Sequence, residues 1–276
     1  MSLLFALPGA FAYGLADFSG GLATRRAPVL LVTAMVQLAG LLVLLPVVPL
    51  AGGTPSAAAF GWGALGAVGG TSGLLLYLRA LAVGPMGVVA PLSAVVGAGL
   101  PLVVGLVTGE RLSAVTVVAI VVALSAIVLA TTGSSAGTGA RTGTLLALGA
   151  GAGFALFFVG INASPAGSGL WPLLAGRLTS VPVLFLAVLF TRAWRGCGPF
   201  PWRLAVLSGV FDTLANVFFL LSARTGELGV SAVVVSLYPV VVAILATVFL
   251  RERLTGMQLG SAGLAVGASV LLAVGG

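Results

Sequence analysis

Of the five acidic side chains in this 276-residue chain, two stand inside long apolar runs. Asp17 and Asp212 are embedded in them, whereas Glu110, Glu227 and Glu252 lie at run ends. Histidine is absent, all 12 basic residues are arginines, and Cys197 is the single cysteine. That inventory excludes an intrachain disulfide and a multi-cysteine metal site, and it removes the usual imidazole base, so no metal or other cofactor is expected. A carboxylate at the centre of a lipid-embedded helix costs about 2.5–3.5 kcal/mol; such groups face a protein interior, are paired, or carry a proton. Asp212 and Asp17 are therefore the candidates for proton coupling. Asp212 lies mid-run with Asn216 one turn further on the same helical face. The alternative for Asp212 is neutralisation by an arginine such as Arg177, which would only lock the bundle. Asp17, four residues after Tyr13, lies nearer its run's end, and its alternative is pairing with Arg25 or Arg26 at the membrane surface.

Arg177, several residues inside another apolar run, is a candidate to grip a substrate carboxylate or phosphate with its planar fork. It is equally suited to snorkelling or to pairing with an aspartate. Tyr13, Tyr77, Trp171 and Tyr238 are candidates to line a pocket for aromatic or amphiphilic substrates, with Asn216 and the hydroxyls of Thr71 and Ser72 as its polar groups. Tyr77 and Trp171, near run ends, also suit interfacial anchoring, and Thr71 and Ser72 also suit back-bonding to their own helix.

The runs must position these groups. The chain is 60% hydrophobic and 6% charged, with mean hydropathy +1.26. A water-facing surface carries roughly a quarter charged residues, so this one faces lipid. Breakers divide the chain into about ten spans of about 17–25 residues: 3–23, 29–50, 57–80, 86–107, 115–131, 143–161, 170–190, 202–222, 229–250 and 256–274. The first lacks a preceding basic region and is long enough to cross, so it is expected to be a span and not a cleaved leader. The net charge of +7 sits mostly between spans, where arginines set topology and touch headgroups; nucleic acid is not an expected partner.

The stretch 84–112 recurs without a gap at 226–254, an offset of 142 residues (Gly84 to Gly226) that also relates Gly87 to Gly229 and Glu110-Arg111-Leu112 to Glu252-Arg253-Leu254. Five spans per copy is an odd number, which inverts the second copy relative to the first. The expected fold is an all-α polytopic membrane protein of about ten transmembrane helices in two inverted five-helix repeats, residues 1–137 and 138–276. Glycine pairs four apart (Gly66/Gly70, Gly69/Gly73, Gly149/Gly153, Gly256/Gly260, Gly263/Gly267) suit close helix packing in lipid. Pro91 and Pro101 in the fourth span and Pro239 in the ninth predict helix breaks, and so hinge candidates, in corresponding helices. The turns at Glu110, Arg111, Glu252 and Arg253 are expected to be structural, with Ser113 and Thr255 capping the helices that follow.

Ten spans, the duplication and the turns Gly109-Glu110-Arg111-Leu112-Ser113 and Arg251-Glu252-Arg253-Leu254-Thr255 resemble the EamA-type transporters of the drug/metabolite transporter superfamily. Tyr77-Leu78-Arg79-Ala80-Leu81 and Gly176-Arg177-Leu178 are similar to further segments of that family. The resemblance implies a multi-pass carrier in the bacterial inner membrane, often an exporter, for amino acids, nucleosides, other metabolites or amphiphilic compounds. It also draws attention to Gln37, a substrate-binding candidate at the position that matches Arg177 approximately across the halves, where the family often carries arginine. The expected partners are a small-molecule substrate, the lipid bilayer and protons. The runner-up readings are an intramembrane lipid-acting enzyme, which would need a catalytic cluster the chain lacks, and a non-transporting assembly subunit. Arginine bias puts the odd-numbered loops in the cytoplasm and the termini outside, whereas the resemblance implies termini inside.

Overall fold

Apolar residues surround these helices on every side, so no amphipathic stripe selects an inward face, and packing rests on small residues and a few polar contacts. The computed structural model describes residues 2–83, 86–109, 112–131, 140–195 and 197–250, with single positions between 256 and 271. The helices are α1 (Ser2–Thr24), α2 (Val29–Leu50), α3 (Ala57–Val83), α4 (Met86–Val107), α5 (Ala114–Thr131), α6 (Ala140–Asn162), α7 (Trp171–Thr191), α8 (Trp202–Thr225), α9 (Leu228–Val235) and α10 (Tyr238–Leu250), with a 3₁₀ turn at Ala166–Ser168. Among the described residues there is no strand. Among the described residues, six helices, α1, α2, α3, α6, α7 and α8, are individually long and apolar enough to cross a bilayer. Large apolar side chains cover the outside: Phe190 is 85% exposed and Val107 82%. Such a surface is compatible with lipid and not with water.

The first eight expected spans coincide with α1 to α8 within a few residues. The ninth is divided, because the helix stops at Val235 and restarts at Tyr238. Pro239 has no N–H to donate to the Val235 carbonyl, and the chain crosses the gap by short turns: Leu237 N–H to Val234 O (3.1 Å) and Val240 N–H to Leu237 O (3.1 Å). The expected breaks at Pro91 and Pro101 do not occur, since α4 runs through both. A proline removes one ladder bond, and surrounding helices can carry the freed carbonyl without interrupting the helix. Ser113 caps α5, its Oγ accepting from Thr116 N–H at 3.1 Å. Glu110, Arg111, Glu252, Arg253 and Thr255 lie outside the described residues, as does nearly all of the tenth span.

Packing is most extensive between α3 and α6 and between α1 and α8; α4 lies on α6, α1 on α9 and α10, α3 on α7, and α2 on α8. Glycines make these approaches possible. A Cβ on Gly153 of α6 would lie 2.7 Å from the Gly69 carbonyl oxygen and 2.7 Å from Gly73 Cα. Gly63 of α3 abuts the Pro172 carbonyl of α7, and Gly209 of α8 abuts the Val36 carbonyl of α2. Between α1 and α8, the Ser208 hydroxyl donates to Ala16 O at 2.9 Å.

One end of the bundle gathers the start of α1, the α2–α3 loop, the α6–α7 loop and the end of α8. Thr54 N–H donates to Gly167 O (3.0 Å), Ser222 Oγ to Ser2 O (3.0 Å), and Trp171 Nε1 to Gly53 O (3.3 Å). Arg224 donates to Gly169 O (2.5 Å) and reaches Ser164, Pro165 and Ser168. Replacing Arg224 by methionine should therefore leave the α6–α7 loop carbonyls without their donor. Amide hydrogen exchange across 163–170 is expected to speed up by about tenfold, for a local loss of about 1–2 kcal/mol; unchanged exchange there would show that the loop holds itself.

Candidate functional site

Between the helices lies a cavity enclosing about 840 Å³ of empty space, its mouth included. Its lining comes from α1 (Tyr13, Asp17), α2 (Gln37), α3 (Thr71), α4 (Gly97), α6 (Phe154, Phe157, Phe158), α7 (Arg177) and α8 (Asp212, Asn216), with Ser236 from the break and Tyr238 from α10. Both halves of the sequence contribute.

A chain of polar contacts crosses one wall. Arg177 Nη2 forms an ion pair with Asp212 Oδ2 and donates to Thr213 Oγ1 at 3.4 Å. Asn216 Nδ2 donates to Asp212 O (2.7 Å) and Oδ2 (3.1 Å), and Tyr13 Oη donates to Asn216 Oδ1 (2.6 Å). Gly40 of α2 supplies the room, since a Cβ there would meet Thr213 Oγ1 and approach Arg177 Nε to 3.0 Å. The arginine side chain is 10% exposed and the aspartate 15%. At that depth the charges hold each other in place.

Asp17 occupies a separate position. Tyr77 Oη donates to its Oδ2 at 2.8 Å, and the ion pair among the described residues is Arg177–Asp212, not one to Asp17. Arg25 and Arg26 are exposed, so surface pairing of Asp17 is not what forms. Tyr77 is wholly buried among the helices, which does not suit an interfacial anchor, and α3 extends past it to Val83. The chain's three tyrosines converge: ring centroids lie 6.2 Å apart for Tyr13 and Tyr238 and 6.4 Å for Tyr77 and Tyr238. Tyr238 Oη lies 3.1 Å from Ser93 Oγ and 3.3 Å from Ala90 O, joining the start of α10 to α4. Gln37 Nε2 donates to Thr71 Oγ1 at 3.2 Å, while the buried Gln37 Oε1 has no donor among the described residues.

Asp17, Asp212, Asn216, Arg177, Tyr13, Tyr238, Thr71 and Gln37 are thus brought to one cavity, with Tyr77 directly behind Asp17. Pro101 and Pro239 do not line it, although Pro239 fixes the break that presents Ser236 and Tyr238. Ser72 bonds back to Val68 O and Gly69 O, and Trp171 lies outside the cavity. Sequence reasoning missed Phe154, Phe157 and Phe158, which form an aromatic wall. Their spacing along one face of α6 was the available signal, but a lipid-facing stripe looks the same.

Fold and cavity define a class: an all-helical, multi-pass membrane protein whose largely apolar chamber carries a few charged and polar side chains. Residues 141–274 match the EamA-like transporter family, a match consistent with the drug/metabolite transporter superfamily. A solved structure titled "Crystal structure of protein" is similar over 98% of this chain and 96% of that one, with a TM-score of 0.74 and 19% identity. At that identity the likeness is one of fold. No curated protein matches the sequence.

Proposed function

We propose that the chain is a secondary transporter, an exporter of small metabolites in the bacterial inner membrane, working by alternating access between two inverted five-helix repeats, residues 1–137 and 138–276. The observation that carries the reading is the chamber itself, built by helices from both halves and holding an ion pair and a second carboxylate at lipid depth. The packing pattern supports the repeats. Exchanging the halves turns α3–α6 into α8–α1, α3–α7 into α8–α2, and α4–α6 into the contacts of α9 and α10 with α1, and every one of these pairs is among the contacts seen. The end that gathers the α1 start and the loops after α2, α6 and α8 also fits an alternating path.

Amino acids, nucleosides and amphiphilic compounds are the substrate classes in view. Proton coupling would fall to Asp17, because Asp212 is already neutralised by Arg177. The test is proton flux in proteoliposomes loaded with a pH-sensitive dye and challenged with those classes. A substrate-dependent proton signal that survives Asp212→Asn at reduced rate and vanishes in Asp17→Asn is expected. Labelled-substrate flux that is equal in wild type and Asp17→Asn, with no proton signal, would leave a uniporter.

A further inference from the structure

The cavity's charges do not balance, and the imbalance has a chemical sense. Three charged side chains line it: Asp17, Asp212 and Arg177. Arg177 and Asp212 offset each other. Asp17 has a tyrosine hydroxyl on one oxygen and no arginine among the described residues. A carboxylate at this depth calls for a proton or a cation.

The Tyr13, Tyr77 and Asn216 donors are engaged by protein acceptors, as is Gln37 Nε2. Among the described residues, the buried Gln37 Oε1, on a lining side chain that is 4% exposed, accepts no hydrogen bond. Aromatic rings from Tyr13, Tyr238, Phe154 and Phe158 complete the chamber, and the negative face of an aromatic ring attracts cations. A substrate carboxylate, by contrast, would compete with Asp212 for Arg177 while sharing the chamber with Asp17.

We infer that the cavity takes a protonated amine carrying an aromatic or apolar body, its ammonium donating to Asp17 and its body lying among the tyrosine and phenylalanine rings. The inference rests on the transporter reading for its purpose but not for its chemistry, since a site can bind without transporting.

Three probes with one phenyl body separate the alternatives: 2-phenylethylamine (cation), phenylalanine (zwitterion) and phenylacetate (anion). Binding is measured calorimetrically on the full chain in nanodiscs, and counterflow is measured in proteoliposomes with protein-free liposomes giving the passive leak. The amine should bind at least ~10-fold tighter than either relative, and Asp17→Asn, which keeps an oxygen for Tyr77, should weaken the amine at least ~10-fold. Phenylalanine or phenylacetate binding as tightly as the amine would overturn the inference, as would absent amine binding, or amine binding indifferent to Asp17→Asn in a variant with unchanged thermal midpoint. The wild-type ranking decides the matter even where the variant fails to fold. Amine binding without counterflow supports the cation site and counts against transport. Counterflow of another substrate without amine binding does the reverse.

Discussion

Replacing Arg177 by methionine is expected to destabilise the bundle by about 3–5 kcal/mol, because it strips the partner from a buried carboxylate. Asp212 would keep Asn216 as a donor but lose its counter-charge. The comparison that carries the argument is the double replacement, Arg177→Met with Asp212→Leu. Removing both charges removes both desolvation costs along with their attraction, and the double variant is expected to lie within about 2 kcal/mol of the parent. Reversible denaturation in mixed micelles reads both. If the single and double variants fall equally far, the pair is not a coupled unit, and the loss comes from the packing of the arginine stem. The single variant should also lose transport, since its chamber would hold two uncompensated carboxylates. The double variant separates stability from function: a stable bundle without flux would place the pair in the transport path.

A comparably large effect is expected at Gly153. Valine there should cost about 3 kcal/mol or more, at the upper end of overpacking effects. The reason is what the new Cβ would meet: the Gly69 carbonyl at 2.7 Å and the Gly73 backbone at 2.7–2.8 Å. Neither can rotate away as a side-chain tip would, so α3 and α6 must separate. These two helices form the largest interface in the bundle and carry Thr71, Phe154, Phe157 and Phe158 of the cavity wall. Gly61 of α3 is the control. Nothing lies within 4 Å of a Cβ built there, and alanine should change stability by no more than about 1 kcal/mol, in the favourable direction. The same denaturation measurement applies; a Gly153→Val protein as stable as Gly61→Ala would mean that the close approach contributes nothing to holding the halves together.

Much of the fold was legible in the sequence for one reason. In lipid a backbone must satisfy its own hydrogen bonds, so a sufficiently long apolar run is a helix regardless of its neighbours. The bounds of α1 to α8 follow from that rule, and the polar side chains inside the runs were recognisable because each is costly there. Asp17, Asp212, Arg177 and Asn216 announced themselves in this way. Proline was less informative: it marks where one ladder bond is missing, but α4 stays continuous through Pro91 and Pro101 while the helix before Pro239 stops. Whether a missing bond becomes a break depends on what surrounds it.

The sequence by itself therefore determined the number and placement of most helices, the glycines able to bring them together, and the short roll of side chains with chemistry to offer. Tertiary structure decided the partnerships. A helix apolar on all sides has no readable inward face, so nothing in the order of residues distinguished an aspartate facing an arginine from one facing a tyrosine. Packing placed Arg177 against Asp212 across 35 positions and Tyr77 against Asp17 across 60. It also turned Phe154, Phe157 and Phe158 toward the chamber instead of toward lipid. Helix formation is local and follows from composition; the direction in which each side chain points is set by contacts between distant segments, and it is that direction that makes a site.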